Sequence, residues 1–260
     1  MQRPLDFAII GAQKASTTAL AAYLNQSEDL YLPPKKETHF FKRQLAPEGP
    51  SHRNIAALDR FFKGAPDRAL LGDATPIYLY WPYSLDLLKA HNPDIKLIIS
   101  LRHPVLRAYS GWSMERRRER EPLSFSDAIR AGRERVSSSP FGVHHVYSYV
   151  ERGFYAEQLA KLFALFDEDQ VFIMRSDQVV ADDPKMRELC KFLGLDDIVF
   201  TPITQNIHQS SLRNDTFLTA DFDYLQALYL DDLSSLKTMV NIDITDWIET
   251  TPKRPAEDFV

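Results

Sequence analysis

A short segment near the start of the chain has the residue types of a phosphate-binding loop in an unusual order. The apolar run FAII is typical of a strand, and residues 11–18 follow it with the sequence GAQKASTT. A Walker A loop reads G-x-x-x-x-G-K-[ST], so a register fixed on Gly11 requires glycine at position 16 and lysine at position 17. The chain has Ser16 and Thr17 there, and its lysine is Lys14. Lysine, hydroxyls and a helix N-terminus could together bind a tetrahedral oxyanion. An ordinary strand–helix turn with a capping Ser/Thr cluster is the structural alternative.

A second candidate anion contact lies at the end of another apolar run. Residues 95–102 read IKLIISLR, which is too apolar for anything but a buried parallel strand, and Arg102 ends the run. Ser110 follows eight residues later inside a predicted helix. Arginine can bind a phosphate through two parallel hydrogen bonds, and a serine hydroxyl can add a third. An arginine after a strand is usually a surface ion-pair residue, so the pair indicates a site only together with the first loop. Arg107 is expected at the surface.

The ends of the predicted strands bear on the question of a metal ion. A magnesium-dependent nucleotide kinase normally has a strand that ends in a carboxylate near the metal. The run LIISLR ends instead in serine and arginine. Asp73, at the end of the predicted strand ALLGD, is the one carboxylate that could take the metal-binding role. A sulfuryl group fits such a site, because it carries less charge than a terminal phosphate and can be bound by lysine and backbone donors alone. The sequence therefore favours a site without a metal.

Length and composition limit the class of protein. The 260 residues, 44% hydrophobic and 26% charged, can bury a large core in one domain. A net charge of −5 argues against nucleic acid as the main partner. The single cysteine, Cys190, excludes an intramolecular disulfide and a multi-cysteine metal site, and we expect it in the core. Without an apolar stretch of about 18 residues or a leader, we expect a complete, soluble, cytoplasmic protein with no membrane span.

Strands and helices alternate along the chain. Strands are predicted at FAII, ALLGD, IKLIISLR and QVFIMR, and helical patterns lie between them and after them. This alternation predicts an α/β fold: a single-domain, P-loop-like parallel sheet flanked by helices on both faces. Ligands of such sheets bind at the carboxyl ends of the strands. That rule gathers residues 11–18, 73–75 and 100–102 at one edge.

Five segments resemble, in order and spacing, the sulfotransferases that use 3′-phosphoadenosine 5′-phosphosulfate (PAPS). They are FAIIGAQKASTTALAAYL, KKETHFF, GDATPIYLY, LIISLRHPVLRAYSGW and FLGL, and the resemblance covers residues 5–250. It is closest to the heparan-sulfate-type branch and its bacterial relatives. It implies transfer of a sulfuryl group from PAPS to a hydroxyl, or as second choice an amine, with adenosine 3′,5′-bisphosphate as product and no metal. The acceptor would be a carbohydrate, a lipid or a small natural product.

The resemblance also implies a role for each residue of the donor site. Lys14 would contact the oxygen between sulfur and the leaving phosphate, whereas Arg102 and Ser110 would bind the 3′-phosphate. The whole chain, residues 1–260, would be one sulfotransferase domain with a candidate flap at 31–54 and a C-terminal loop and helices at 201–250 closing over the nucleotide. The remaining donor contacts would be Ala15, Ser16, Thr17 and Thr18 at the 5′-phosphosulfate and Arg213 at the 3′-phosphate.

The segment KKETHFF supplies the candidate general base. The resemblance implies that Glu37 deprotonates the acceptor hydroxyl, which general-base catalysis allows if the carboxylate reaches that proton. His39 has the better unperturbed pKa for this task, so it stays as the alternative base or as a residue that orients the substrate. The structural alternative for Glu37 is a solvated loop carboxylate paired with Lys35 or Lys36.

Two features depart from the family pattern. Many relatives have a lysine where this chain has Ala74, so another residue must supply that contribution or the reaction must proceed without it. Residues 206–217, around Arg213, lack the lysine–glycine pattern expected of the closing loop. Two other functions stay open: a small-molecule kinase that uses ATP and magnesium, and a catalytically inactive nucleotide-binding partner subunit.

Overall fold

The computed structural model describes residues 3–42, 57–195, 198–203 and 219–249. The chain divides into two compact units, of which the first contains Met1–Leu101 and Lys161–Gln205 and the second Arg102–Ala160 and Asn206–Val260. The single sulfotransferase domain over residues 1–260 stays a prediction. Of the candidate flap, residues 43–54 lie outside the described part, as do Arg213 and the rest of residues 206–217, the expected closing loop.

The elements alternate along the chain much as the sequence predicts. The strands are β1 (Phe7–Gly11), β2 (Leu30–Tyr31), β3 (Leu70–Ala74), β4 (Lys96–Leu101) and β5 (Val171–Arg175). The helices are α1 (Thr17–Leu24), α2 (Ser84–His91), α3 (Pro104–Arg117), α4 (Phe125–Ser137), α5 (Tyr155–Phe163), α6 (Pro184–Leu193), α7 (Thr219–Met239) and α8 (Thr245–Glu249).

The first unit contains a five-stranded sheet in the order β2-β3-β1-β4-β5, and every neighbouring pair of strands is parallel. The predicted parallel α/β sheet is therefore confirmed. All residues of β1 are buried, as are all but the first of β4, which explains why these strands read as continuous apolar runs. The two-residue edge strand β2 was not predicted, because it is too short to show a periodic pattern.

Helices α1 and α6 pack into one apolar core with β1. Leu20 and Leu24, four residues apart on α1, are fully buried, and α6 contributes Leu189 and Cys190 to the same cluster. Each such leucine stabilises the fold by about 1.5–3 kcal/mol. Cys190 is fully buried and forms no disulfide, as expected. The predicted end of α6 is also confirmed, since Gly194 follows it with a left-handed φ of 80°.

In the second unit, α3 and α4 begin where their capping signals predict. Pro104 occupies the first turn of α3, and the Ser124 hydroxyl accepts a hydrogen bond from the Asp127 amide at the start of α4. The expectation for Arg107 was wrong: its side chain is 1% exposed and its guanidinium donates to the carbonyl of Tyr149. The hydrogen bond to this carbonyl offsets part of the desolvation cost of burying the arginine.

The C-terminal helices of the second unit are α7 and α8. Helix α7 buries Leu225, Tyr229, Leu233 and Leu236, and the Tyr229 hydroxyl donates to the carbonyl of Val150 at 2.7 Å. Among the described helices, none combines the length and the apolar character needed to cross a bilayer.

Candidate functional site

The loop between β1 and α1 lies at the carboxyl edge of the sheet in the first unit. The Ala12 amide donates to the carbonyl of Ser100, near the end of β4, at 2.8 Å. Gly11 ends β1, and a Cβ there would lie 2.6 Å from Cδ2 and 3.0 Å from Cβ of Leu79. Leu79 is itself fixed, since its amide donates to the Ile10 carbonyl at 2.9 Å. Only glycine therefore fits at position 11, and the loop is held where ligands of parallel sheets bind.

Four candidate site residues have left-handed backbones although none of them is glycine. Lys14 and Ser16 have φ of 71° and 57°, and Glu37 and His39 have φ of 65° and 51°. Each such residue costs about 1–3 kcal/mol, and strain of this kind concentrates at functional sites. Both segments that the sequence picked for chemistry, GAQKASTT and KKETHFF, thus contain such residues, although Tyr83, Glu119 and Phe141 elsewhere in the described chain have left-handed backbones too.

The side chains of the loop do not behave as a simple capping cluster. Ser16 is the N-cap residue of α1, but its exposed side chain makes no capping hydrogen bond. Thr17 is buried and Thr18 is half-buried, while the Ala15 amide already donates to the Ala12 carbonyl at 3.2 Å. The hydroxyls, more than the Ala15 amide, are thus the groups that can meet a bound anion.

Sequence reasoning missed Lys36 as a member of this site. Its Nζ lies 2.7 Å from Oγ1 of Thr18 and 3.4 Å from Oγ1 of Thr17, so KKETHFF reaches the first turn of α1. The same Nζ lies 3.5 Å from Oε1 of Glu37. The signal in the sequence was its position directly before the candidate base. The structure therefore brings together Lys36, Glu37 and the two threonines.

Glu37 is held between two nitrogen-bearing side chains. Its Oε2 lies 3.3 Å from Nε2 of His39, and its Oε1 contacts Lys36. Burial raises the pKa of Glu37, but the hydrogen bond from His39 and the positive charge of Lys36 outweigh burial, so the pKa lies below its ordinary value. Of the two pairings considered from the sequence, the structure shows the one with Lys36. The result is a half-buried carboxylate that stays ionised and can accept a proton.

Behind this segment, Asp73 at the end of β3 is fully buried and accepts three hydroxyl hydrogen bonds. Thr38, Thr75 and Tyr78 donate to it at 2.7, 2.9 and 2.8 Å, respectively. Burial raises the pKa of Asp73 and these hydroxyls oppose the rise. Thr38 stands between Glu37 and His39 in the sequence, so the buried carboxylate anchors the backbone that carries both. Both of its oxygens accept hydrogen bonds from protein hydroxyls.

We expect Asp73→Asn to destabilise the protein by about 1–3 kcal/mol, since an amide cannot accept from all three hydroxyls. Turnover should fall as well, because Thr38 loses its anchor. Denaturant unfolding measures the first effect. Asp67→Asn, at an exposed position of the same unit, is the matched control and should stay within about 0.5 kcal/mol of the wild type. Equal stability of the two variants would contradict the anchoring role.

The second unit holds the other two described candidates. Arg102 directly follows β4 in the chain and is half-buried, and its carbonyl accepts a hydrogen bond from the Tyr155 hydroxyl at 2.7 Å. Burial lowers the pKa of Arg102, so its positive charge is poorly solvated and would be stabilised by an anion. Ser110 is half-buried within α3.

The chain is similar to known proteins. A family model described as the sulfotransferase domain matches residues 4–248. Among curated proteins, the chain is 26% identical over 196 residues to mouse (Mus musculus) heparan sulfate glucosamine 3-O-sulfotransferase 3B1, covering 74% of this chain and 46% of that protein. It is 27% identical over 193 residues to human (Homo sapiens) heparan sulfate glucosamine 3-O-sulfotransferase 6, covering 74% and 52%. The chain thus spans about half the length of these relatives.

A solved structure covers nearly the whole chain. The sulfotransferase from Alicyclobacillus acidocaldarius matches with a TM-score of 0.78 and 31% identity, over 95% of this chain and 99% of that one. The parallel sheet, the lysine-bearing loop after β1 and the glutamate of KKETHFF thus accompany a family match over most of the chain. The chain belongs to the PAPS-dependent sulfotransferase family.

Proposed function

We propose that this protein transfers a sulfuryl group from PAPS to a hydroxyl of an acceptor such as a carbohydrate, lipid or small natural product. The observation that supports the proposal is that Lys36 contacts both the first turn after the β1–α1 loop and the candidate base. The Lys36 ammonium contacts Thr18 at 2.7 Å and Glu37 at 3.5 Å, so oxyanion-binding hydroxyls and an ionised carboxylate occupy one small region. The names of the curated relatives say that those proteins are sulfotransferases acting at an oxygen of a sugar, which agrees with a hydroxyl acceptor.

The proposed reaction is an in-line displacement at sulfur. Glu37 takes the proton of the acceptor hydroxyl as its oxygen attacks, and the bond from sulfur to the bridging oxygen of the 5′-phosphate breaks. Negative charge develops on that bridging oxygen, where the Lys14 ammonium stabilises it. The products are the sulfate ester and adenosine 3′,5′-bisphosphate. In this proposal Ala15, Ser16, Thr17 and Thr18 hold the 5′-phosphosulfate, Arg102 and Ser110 bind the 3′-phosphate, and Arg213 adds a contact there.

Two measurements test the proposal. Calorimetry should show binding of adenosine 3′,5′-bisphosphate without added metal, and incubation of a library of hydroxyl-bearing acceptors with labelled PAPS should yield a labelled product. A kinase would instead bind ATP with magnesium and ignore the bisphosphate, although Asp73, its candidate metal-site carboxylate, is engaged by three hydroxyls. An inactive partner subunit would bind the nucleotide and transfer nothing to any acceptor.

We expect Arg102→Ala to weaken binding of adenosine 3′,5′-bisphosphate by about 2–4 kcal/mol, the scale of losing a buried charge-assisted contact. Binding of adenosine 5′-phosphosulfate, which lacks the 3′-phosphate, should hardly change. Calorimetry with both ligands makes the comparison. Arg107 is buried and is therefore not a suitable control. Arg117 is exposed at the end of α3, and Arg117→Ala should bind both ligands like the wild type. Equal losses for the two ligands would contradict the assignment.

A further inference from the structure

Lys36 is a lysine that the donor roles above leave unused. Its ammonium lies against the hydroxyls of Thr17 and Thr18, at the first turn of α1, and beside the Glu37 carboxylate. It also lines an open cleft in the first unit, together with Thr18, Glu37 and Ala74. The Lys36 ammonium therefore lies in the same cleft as the end of β3 and the first turn of α1.

The contact with Lys36 fixes the direction in which the Thr18 hydroxyl points. An ammonium can only donate hydrogen bonds, so Thr18 must accept from it through its oxygen. The hydroxyl hydrogen of Thr18 is then directed elsewhere and is available to an anion. Hydroxyls oriented in advance in this way stabilise a negatively charged group without reorganising when it binds.

Lys36 also has donor capacity for a ligand. Its contact with Thr18 is of ordinary hydrogen-bond length, but those with Thr17 and Glu37, at 3.4 and 3.5 Å, are longer than a good hydrogen bond. A ligand oxygen can replace the weak contact with Thr17 at little cost. Burial lowers the pKa of Lys36, which means that its charge is incompletely solvated in the folded protein.

We propose that Lys36 is a sulfuryl-binding residue, which donates to the sulfuryl oxygens of PAPS and orients the Thr18 hydroxyl toward the same group. This inference rests on the proposed function. A cation between the donor loop and Glu37 lies where the attacked sulfur must be, because the base has to reach an acceptor oxygen that approaches that sulfur.

The test compares two ligands that differ in the sulfuryl group. Calorimetry should show that Lys36→Met weakens binding of PAPS about tenfold or more, the effect of losing a hydrogen bond from a charged group. Binding of adenosine 3′,5′-bisphosphate, which has no sulfuryl group, should weaken far less. Lys36→Arg should recover a large part of the PAPS affinity, and Lys63→Met, which removes a charge from an exposed position of the same unit, should bind both ligands like the wild type.

The outcomes separate the inference from the function on which it rests. If the wild type binds both ligands and Lys36→Met weakens them equally, or weakens neither, Lys36 does not bind the sulfuryl group although the proposed function stands. If the wild type binds neither ligand, the proposed function fails and the inference fails with it. A folded Lys36→Arg variant with no recovered affinity would also overturn the inference.

Discussion

Glu37→Gln should lower the turnover number by about 10²–10⁴-fold, the range measured for loss of a general base. Affinity for adenosine 3′,5′-bisphosphate should not change, because the amide keeps the size of the side chain and the base does not touch that product. Steady-state kinetics with PAPS and an acceptor found in the library screen measure the first effect, and calorimetry measures the second. An acceptor whose hydroxyl has a lower pKa, such as a phenol, should recover part of the lost rate.

The pH dependence of the wild type gives an independent check on this assignment. A base must be ionised to act, so the rate should fall as pH falls through the pKa of Glu37. Because contacts with His39 and Lys36 hold that pKa below its ordinary value, the acidic limb should lie below the range of a free glutamate. Glu37→Gln should abolish this limb. A near-normal rate in Glu37→Gln together with an inactive His39→Ala would assign the base to His39 instead.

Lys14→Ala should lower the turnover number by about 10²–10³-fold, an effect of the size seen when an oxyanion-hole donor is removed. The charge that Lys14 is proposed to stabilise develops only as the bond to sulfur breaks, so the Michaelis constant for PAPS should change much less than the turnover number. Steady-state kinetics over a range of PAPS concentrations separate the two constants.

The control for Lys14 is a lysine of the same unit that faces solvent. Lys191 is exposed on the last turn of α6, and Lys191→Ala removes the same charge. Its kinetics should match those of the wild type. If Lys14→Ala raised only the Michaelis constant, Lys14 would contribute binding that is equal in the ground state and the transition state, and its role at the leaving oxygen would be wrong.

The sequence predicted the parts of the fold that depend on local pattern. Buried parallel strands are continuous apolar runs, so the four longer strands were predicted within a residue or two. Capping residues act within a few positions, which is why the starts of α3 and α4 and the end of α6 were predicted correctly. The unusual order of the loop after β1 also picked out residues whose backbone proved to be left-handed.

What the sequence did not predict depends on contacts between distant residues. Lys36 meets Thr18 across 18 positions of the chain, and nothing in the local pattern shows that contact. Arg107 was expected at the surface, yet the carbonyl of Tyr149, 42 positions away, accepts its hydrogen bond in the interior. Asp73 likewise meets Thr38 through the fold. Each case is a polar group whose environment is fixed by tertiary structure.

Because Cys190 is buried, its reaction with a thiol reagent can be used to measure local opening of the fold. It is the only cysteine of the 260 residues, and it lies on α6 in the core shared with α1 and β1. A thiol reagent can modify it only after this helix has separated from the sheet, so the rate of labelling under native conditions reports the free energy of that opening. Because α1 belongs to the same core, the labelling rate also reports how firmly the loop that precedes α1 is supported, with no engineered label and no second thiol to confuse the signal.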